Sequence, residues 1–284
     1  MREHNLTKIS KSLFVDPNYK TAFEQSGLTS VDAVFSFTAG ENLTKTHLPC
    51  YRTRLKFELP WVPVTVFLKR YDNPPIRVQL KNWLCARARK SCSFLDHDAV
   101  SRLSALGINT PKTILLGEQW GRFFEKRSFI ATEKIPNAQS LEKKLPPYCT
   151  AEPVGENLRL KRAFIDRLAG FIKRFHQAGF CHRDLYFAHI FYSQTGQFCL
   201  IDLARVFKPA CLRQKFRIKD LAQLYYSAPA RYFSKTDRLR FYLALACRRK
   251  LTAIDRIVIR LVKNKAKRMA KHDRKHGRAA PFEF

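Results

Sequence analysis

Gly179-Phe-Cys-His-Arg-Asp-Leu-Tyr-Phe-Ala-His-Ile-Phe-Tyr-Ser-Gln-Thr-Gly-Gln-Phe-Cys-Leu-Ile-Asp-Leu203 is the most informative segment of this 284-residue chain. Two short apolar runs, Ile190 to Tyr192 and Phe198 to Leu203, flank Ser193-Gln-Thr-Gly196, so the segment predicts a β-hairpin. Asp184 precedes the hairpin, with His182 and Arg183 beside it, and Asp202 closes it. Gly179 ends the clearest helix in the chain. From Leu158 to Ala178, Phe164, Ile165, Leu168, Phe171, Ile172 and Phe175 recur at three- and four-residue spacing.

Upstream, the pattern changes. Pro146-Pro147 and the polar Cys149 to Asn157 stretch mark a boundary. Before it, Val31 to Tyr71 reads as β-rich. Tyr51 to Leu59 alternates, with Leu55, Phe57 and Leu59 on one face, and Val64, Val66 and Leu68 share a face just before Lys69. Pro74-Pro75 stops that strand. Arg77 to Lys90 follows, with five Lys or Arg, no acid and Trp83 interleaved, and reads as a solvated loop. Phe94 to Leu106 predicts a helix ended by Gly107, and Pro111 to Leu116 and Ser128 to Glu133 predict strands. Downstream, Arg217 to His276 reads as mostly helical.

The order of these parts resembles the protein-kinase-like fold: a lysine strand, a helix with an acid, an H-R-D loop, a hairpin and a metal-binding aspartate. The resemblance narrows on His182-Arg-Asp-Leu-Tyr-Phe-Ala-His189, Ile201-Asp-Leu-Ala-Arg205, Lys219-Asp-Leu-Ala222, Phe67-Leu-Lys-Arg-Tyr71 and Leu106-Gly-Ile-Asn-Thr-Pro111. These look like the lipopolysaccharide kinases, which phosphorylate heptose or Kdo sugars of the inner core. The match runs from about Phe67 to Tyr225. It implies an α+β, bilobal protein-kinase-like fold with a β-rich N-lobe and a mostly helical C-lobe.

The resemblance also implies roles. Asp184 would orient the acceptor hydroxyl and take its proton, because a carboxylate needs no activation at neutral pH. Arg183 would brace the catalytic loop. Lys69 would contact the ATP phosphates, paired with Asp96 or, two residues on, Asp98. Asp202 would hold Mg²⁺, which prefers carboxylate oxygen. His189 stands where protein kinases place a metal-binding Asn, although imidazole is a softer ligand than Mg²⁺ prefers. Glu133 fits a hinge beside the adenine. The phosphate-covering loop departs from the usual glycine-rich form: only Gly40 precedes Thr44 and Lys45, which are the candidates there. Ala204 replaces the glycine of D-F-G. Asp220 would hydrogen-bond the loop backbone, since buried amides need partners. His182 reads as a packed structural residue, His176 as a polar residue on a helix face.

Charge bounds the partners. With 53 Lys and Arg against 23 Asp and Glu, the net charge is +30, which attracts polyanions. No nucleic-acid motif is present, so nucleic acid is not expected as a partner. An anionic glycolipid acceptor at the cytoplasmic face of the inner membrane suits the charge, giving a cytoplasmic protein, peripheral on that membrane. No apolar run approaches the ~18 residues of a membrane span, and no leader is expected at the start of the sequence. The eight cysteines, without a C-x-x-C pair, are expected to be reduced thiols. Four parts are expected: an N-terminal extension (1–30), a nucleotide-binding N-lobe (31–135), a C-lobe with catalytic loop and metal site (136–247), and a basic helix and tail (248–284). In that tail Ile254, Ile257, Val258, Leu261 and Val262 form an apolar stripe expected to pack inward, with Arg and Lys outside. No oligomeric state follows from these residues. A protein Ser/Thr or Tyr kinase is a competing reading, disfavoured by the lack of an A-P-E end. A non-catalytic membrane- or polyanion-binding module is another, disfavoured by Lys69, Asp184 and Asp202 all being present.

Overall fold

The protein is described as a computed structural model over residues 6–43 and 49–277, in two compact units, Met1–Pro136 and Asn137–Phe284. The first unit holds β1 (Thr7–Ser10), β2 (Leu13–Val15), α1 (Lys20–Gln25), α2 (Val31–Ser36), β3 (Glu41–Asn42), β4 (Arg52–Leu59), β5 (Val64–Asp72), α3 (Ile76–Ala86), α4 (Cys92–Ala105), β6 (Thr113–Trp120) and β7 (Glu125–Glu133). Its strands form one sheet in the order β1-β2-β6-β7-β5-β4-β3, antiparallel at every step. Strand alternation sets the two faces. Leu55, Phe57, Leu59, Val66 and Leu68 turn into a core shared with Phe129 and Ala131. Lys69 and Tyr71 turn the other way, toward α4. Gly40 has φ +120°, and a Cβ there would sit 2.6 Å from the Lys56 carbonyl oxygen, so only glycine lets the chain enter β3 this way.

The second unit holds β8 (Ala138–Ser140), α5 (Pro147–Thr150), α6 (Gly155–Gln177), β9 (Ile190–Ser193), β10 (Phe198–Leu200), α7 (Arg213–Ser227), α8 (Lys235–Ala246) and α9 (Ala253–Lys275). A small antiparallel sheet runs β10-β9-β8. All six periodic residues of α6 are buried, as their spacing predicts. Phe164 meets Tyr148, Tyr192 and Phe198 edge-on or tilted, which joins α6 to the hairpin. α8 packs on α6 and α9 on α7. Between these helices lies a cavity of about 330 Å³ lined by Leu168, Leu224, Phe233, Phe241 and Val262 among others.

Four expectations need correction. Val31–Ser36 is a helix, capped by Ser30, whose hydroxyl accepts from the Ala33 N–H at 3.0 Å; apolar Val31 and Val34 one turn apart gave too short a period to separate helix from strand. The segment after Pro75 is not a loop but α3, since a proline ahead of the first turn starts a helix well. The N-terminal segment is not an appendage: Leu13, Val15, Phe23 and Leu28 lie in the core of the first unit. Its β2 is too brief for alternation to register. The tail is likewise part of the second unit, but its large apolar side chains do not all face in. Val262, Ala266 and Ala270 are buried, whereas Ile254, Ile257 and Leu261 are 69%, 56% and 46% exposed. Small alanines let α9 lie close to Tyr226 of α7, and the bulkier stripe falls outside that contact.

The start of α9 carries a capping box. The Thr252 hydroxyl accepts from the Asp255 N–H at 3.2 Å, and Asp255 accepts from the Thr252 N–H at 2.8 Å. Hydrogen bonds from Thr252 hold the Asp255 carboxyl down at about 2, against an ordinary 3.8. A depressed carboxyl stabilises the fold above its ordinary value and loses that contribution as pH falls toward the folded value. The gap in urea midpoint between wild type and Asp255→Asn is therefore expected to be constant near neutrality. It should close as pH falls from 3.8 toward 2; a gap that widens on acidification would contradict this role.

Candidate active site

The loop from Cys181 to His189 is held in shape by α7. Asp220, fully buried, accepts from the His182 N–H at 2.9 Å and the Arg183 N–H at 2.8 Å, and lies 3.1 Å from His176 Nε2. The Gln223 side-chain carbonyl accepts from the Leu185 N–H at 2.9 Å, and the Ser227 hydroxyl from the Phe187 N–H at 3.0 Å. These three side chains share one face of the helix, three and four residues apart. Lys219 Nζ and Gln223 Nε2 donate to the Arg183 carbonyl at 2.6 and 2.8 Å. Arg183 itself sits at φ +69°, a conformation costly for a non-glycine residue unless its surroundings fix it. Its guanidinium lies over the Phe207 ring, 5.4 Å from the centroid. Asp220 does what its place in the sequence predicts. His176 does not: it is buried on Asp220 rather than presented on an open helix face. The periodic apolar residues around it hid that contact.

A two-way bridge between Cys181 and Phe207 ties this loop to the segment after Asp202. Arg205 comes back across it, and its Nη1 lies 3.0 and 2.8 Å from the two carboxylate oxygens of Asp184. The sequence reading gave Arg205 no role. Its signal was its place at the end of the Ile201-Asp-Leu-Ala-Arg205 segment, three residues after the expected metal-binding acid. Asp184 remains partly exposed, and each oxygen keeps a further lone pair for an incoming hydroxyl.

His189 Nδ1 lies 2.7 Å from the Asp184 carbonyl oxygen. A carbonyl only accepts, so Nδ1 carries the hydrogen, and Nε2 is the ring nitrogen whose lone pair a metal could take. Nε2 faces Asp202 Oδ2 at 4.0 Å. A carboxylate oxygen and an imidazole nitrogen oriented from behind by a backbone carbonyl form a donor set suited to a divalent cation. Among the described residues no group of three or more His, Cys, Asp or Glu gathers in this way. A cation on Asp202 and His189 would draw its other ligands from phosphate oxygen and water. His182 packs flat against His189, with centroids 5.9 Å apart, and lies 3.1 Å from the Ile201 carbonyl oxygen through Nε2. Burial pushes its pKa below the ordinary 6.5, so it stays neutral and structural, as expected from its motif position.

In the first unit Lys69 Nζ lies 3.4 Å from Asp96 Oδ2, and the Tyr71 hydroxyl donates to the same oxygen at 2.8 Å. The choice left open between two acids resolves on Asp96. Asp98 pairs instead with Lys90 at 3.0 Å and Arg102 at 2.9 Å. Tyr71, raised well above the usual phenol range by burial and then by the Asp96 charge, keeps its proton and donates. Nothing in its position marked it in advance except two-residue alternation with Lys69. The Glu133 carboxylate accepts from the Tyr19 hydroxyl at 3.2 Å, while the Glu133 N–H donates to the Lys112 carbonyl at 2.9 Å. Thr44 and Lys45 lie outside the described residues. All eight cysteines are free thiols.

Comparisons with known proteins identify relatives of this chain. The model of a family described as the lipopolysaccharide kinase (Kdo/WaaP) family matches residues 76–244, a span that includes Asp96, Asp184, His189 and Asp202. The lipopolysaccharide core heptose(I) kinase WaaP of Escherichia coli (strain K12) is 30% identical over 237 residues, which is 80% of this chain and 87% of that protein. The protein of the same name from Pseudomonas aeruginosa is 30% identical over 168 residues, 57% of this chain and 62% of its own length. A solved structure of WaaP in complex with acyl carrier protein has the same fold. The TM-score is 0.66 at 21% identity, covering 90% of this chain and 98% of the other.

Proposed function

Because the chain belongs to the lipopolysaccharide kinase (Kdo/WaaP) family, we propose that it transfers the γ-phosphoryl group of ATP to a heptose hydroxyl of the lipopolysaccharide inner core. The observation that carries this reading is Asp184, clamped at its backbone by α7 and at its carboxylate by Arg205, in a chain whose relatives are sugar kinases. The acceptor choice between heptose and Kdo follows the curated relatives, both of them heptose(I) kinases.

The chain's own residues divide the work. Lys69, fixed by Asp96, holds the phosphates of ATP with its ammonium group. Asp184 accepts a hydrogen bond from the acceptor hydroxyl, aligns it and takes its proton as the new P–O bond forms. Arg205 fixes the carboxylate plane against rotation and offsets part of its charge. Asp202 and His189 would hold a divalent cation, which we take to be Mg²⁺ and which would neutralise phosphate charge when bound. The hinge carbonyls near Glu133 would meet the adenine.

Phosphorylation of purified inner-core acceptors tests the assignment. With γ-labelled ATP, label is expected in a dephosphorylated heptose-bearing core and not in a Kdo-only core. Label confined to the Kdo-only core would reverse the acceptor, and label in generic protein substrates at a rival rate would favour the protein-kinase reading.

Two partners follow from the same reading. Among the described residues no helix is long and apolar enough to cross a membrane. A peripheral position on the cytoplasmic face of the inner membrane is supported by the net charge of +30 and by basic α9, whose Ile254, Ile257 and Leu261 are exposed. Acyl carrier protein is the second, supported by its presence beside WaaP in the solved complex and by the apolar cavity of the second unit, which has the chemistry to take an acyl chain.

A further inference from the structure

Helix α3 has a surface that neither catalysis nor the α9 reading uses. Ile76, Leu80 and Leu84 stand four residues apart, so they share one stripe, and they are 52%, 45% and 80% exposed. Three aliphatic side chains left open in register on one short helix are not the scattered exposure of an ordinary surface. Arg77, Lys81 and Arg87 are exposed beside them, and no acid occurs between Arg77 and Lys90. A neighbouring side anchors the helix: Gln79 is buried and donates to the Pro74 and Glu125 carbonyls at 2.8 and 3.1 Å.

The surface continues onto the β6–β7 turn of the same unit. Trp83 stacks on Phe124 with centroids 5.7 Å apart, and Arg89 donates to the Phe123 carbonyl at 2.7 Å. That turn carries Phe123, 61% exposed, next to Arg122. Aliphatic and aromatic side chains flanked by guanidinium and ammonium groups, on a helix with no acid of its own, complement one kind of partner best. A lipid surface offers acyl chains for the stripe and phosphate headgroups for the cations.

We propose that α3 and the Phe123 turn form an interfacial docking surface for an anionic phospholipid bilayer. The stripe enters the headgroup boundary while Arg77, Lys81 and Arg87 contact lipid phosphate. The inference rests on the peripheral-membrane part of the proposed function and assigns it a second, separate contact. Docking by the unit that carries Lys69 would hold the ATP-binding side of the enzyme at the membrane where its acceptor lies.

Sedimentation of the full chain with vesicles tests this. Wild type is expected to pellet with phosphatidylcholine vesicles that contain phosphatidylglycerol and not with phosphatidylcholine alone. Leu80→Asp/Leu84→Asp should lower that partitioning by on the order of tenfold. Lys81→Glu/Arg87→Glu, which leaves the stripe intact, should do the same and weaken the dependence on phosphatidylglycerol. Both variants should phosphorylate a delipidated core oligosaccharide at the wild-type rate, which also shows that they fold, and should lose activity on the same core in vesicles. Wild-type partitioning in both α3 variants, with loss in Ile257→Asp/Leu261→Asp, would overturn the α3 surface and leave the peripheral reading standing. Failure of wild type to pellet with any anionic vesicle would overturn both. Loss of acyl carrier protein binding by the α3 variants, with vesicle binding intact, would give the surface to that partner and overturn the lipid assignment.

Discussion

Asp184→Asn is expected to reduce phosphoryl transfer to the core sugar by about a thousandfold, the scale of losing a positioned proton acceptor. The amide keeps the size of the side chain but cannot take the hydroxyl proton. It also turns one of the two oxygens facing Arg205, now at 3.0 and 2.8 Å, into an NH₂ group. Two donors then point at each other. Asp184→Ala removes that conflict along with the base, so the asparagine variant should be no more active than the alanine one despite its closer shape. Single-turnover label transfer with parallel nucleotide binding separates the two effects. Affinity for ATP should stay near wild type, because Asp184 faces the acceptor. A loss of less than about tenfold in both variants would remove Asp184 from the proton-transfer role.

Asp220→Asn should have the largest effect on stability. The carboxylate is fully buried and accepts from two peptide N–H groups while meeting His176. An amide in its place offers one acceptor oxygen and sets an NH₂ group against another donor. Breaking such a buried charged network costs about 3 kcal/mol. The loop that it shapes carries Asp184, so kcat should fall with stability, while the Lys69–Asp96 pair in the other unit keeps nucleotide binding. Urea unfolding followed by circular dichroism, together with kcat at a temperature where the variant is folded, checks both. A variant with an unchanged midpoint and reduced kcat would show that the clamp only positions the loop. A variant with both unchanged would remove it from either role.

The parts legible in the sequence were those in which periodicity and chemistry point the same way. The six buried residues of α6, the hairpin between Asp184 and Asp202, and the alternation that carries β4 and β5 are long enough for a pattern to show. Lys69 and Asp220 were legible through the resemblance to the lipopolysaccharide kinases, which also narrowed the partner of Lys69 to Asp96 or Asp98. Short elements were not. Three residues in β2 and six in α2 lie below the length at which helix and strand periods separate. The α3 helix was concealed by the charge of the stretch from Arg77 to Lys90, since five cations without an acid suggest solvent rather than structure. Arg205 and Gln223 were concealed by function passing through tertiary contact. Arg205 closes one motif segment and Gln223 follows another without a role of its own in either, and only the fold brings Arg205 to Asp184 and Gln223 to the Leu185 amide. The inward face of α9 was misjudged because Ala266 and Ala270, which carry little apolar weight in a sequence pattern, are the residues that pack.

The loop from His182 to Phe187 owes its shape to side chains that belong to another element: Asp220, Gln223 and Ser227 grip its peptide groups. Of its own side chains, Tyr186 shares in that grip by packing against Tyr226 of α7. Such a division of labour makes the loop evolvable. Acceptor preference can drift through substitutions on the loop without a matching penalty in backbone geometry, whereas a change in α7 alters every acceptor alike. For enzyme redesign, α7 is the template to leave untouched.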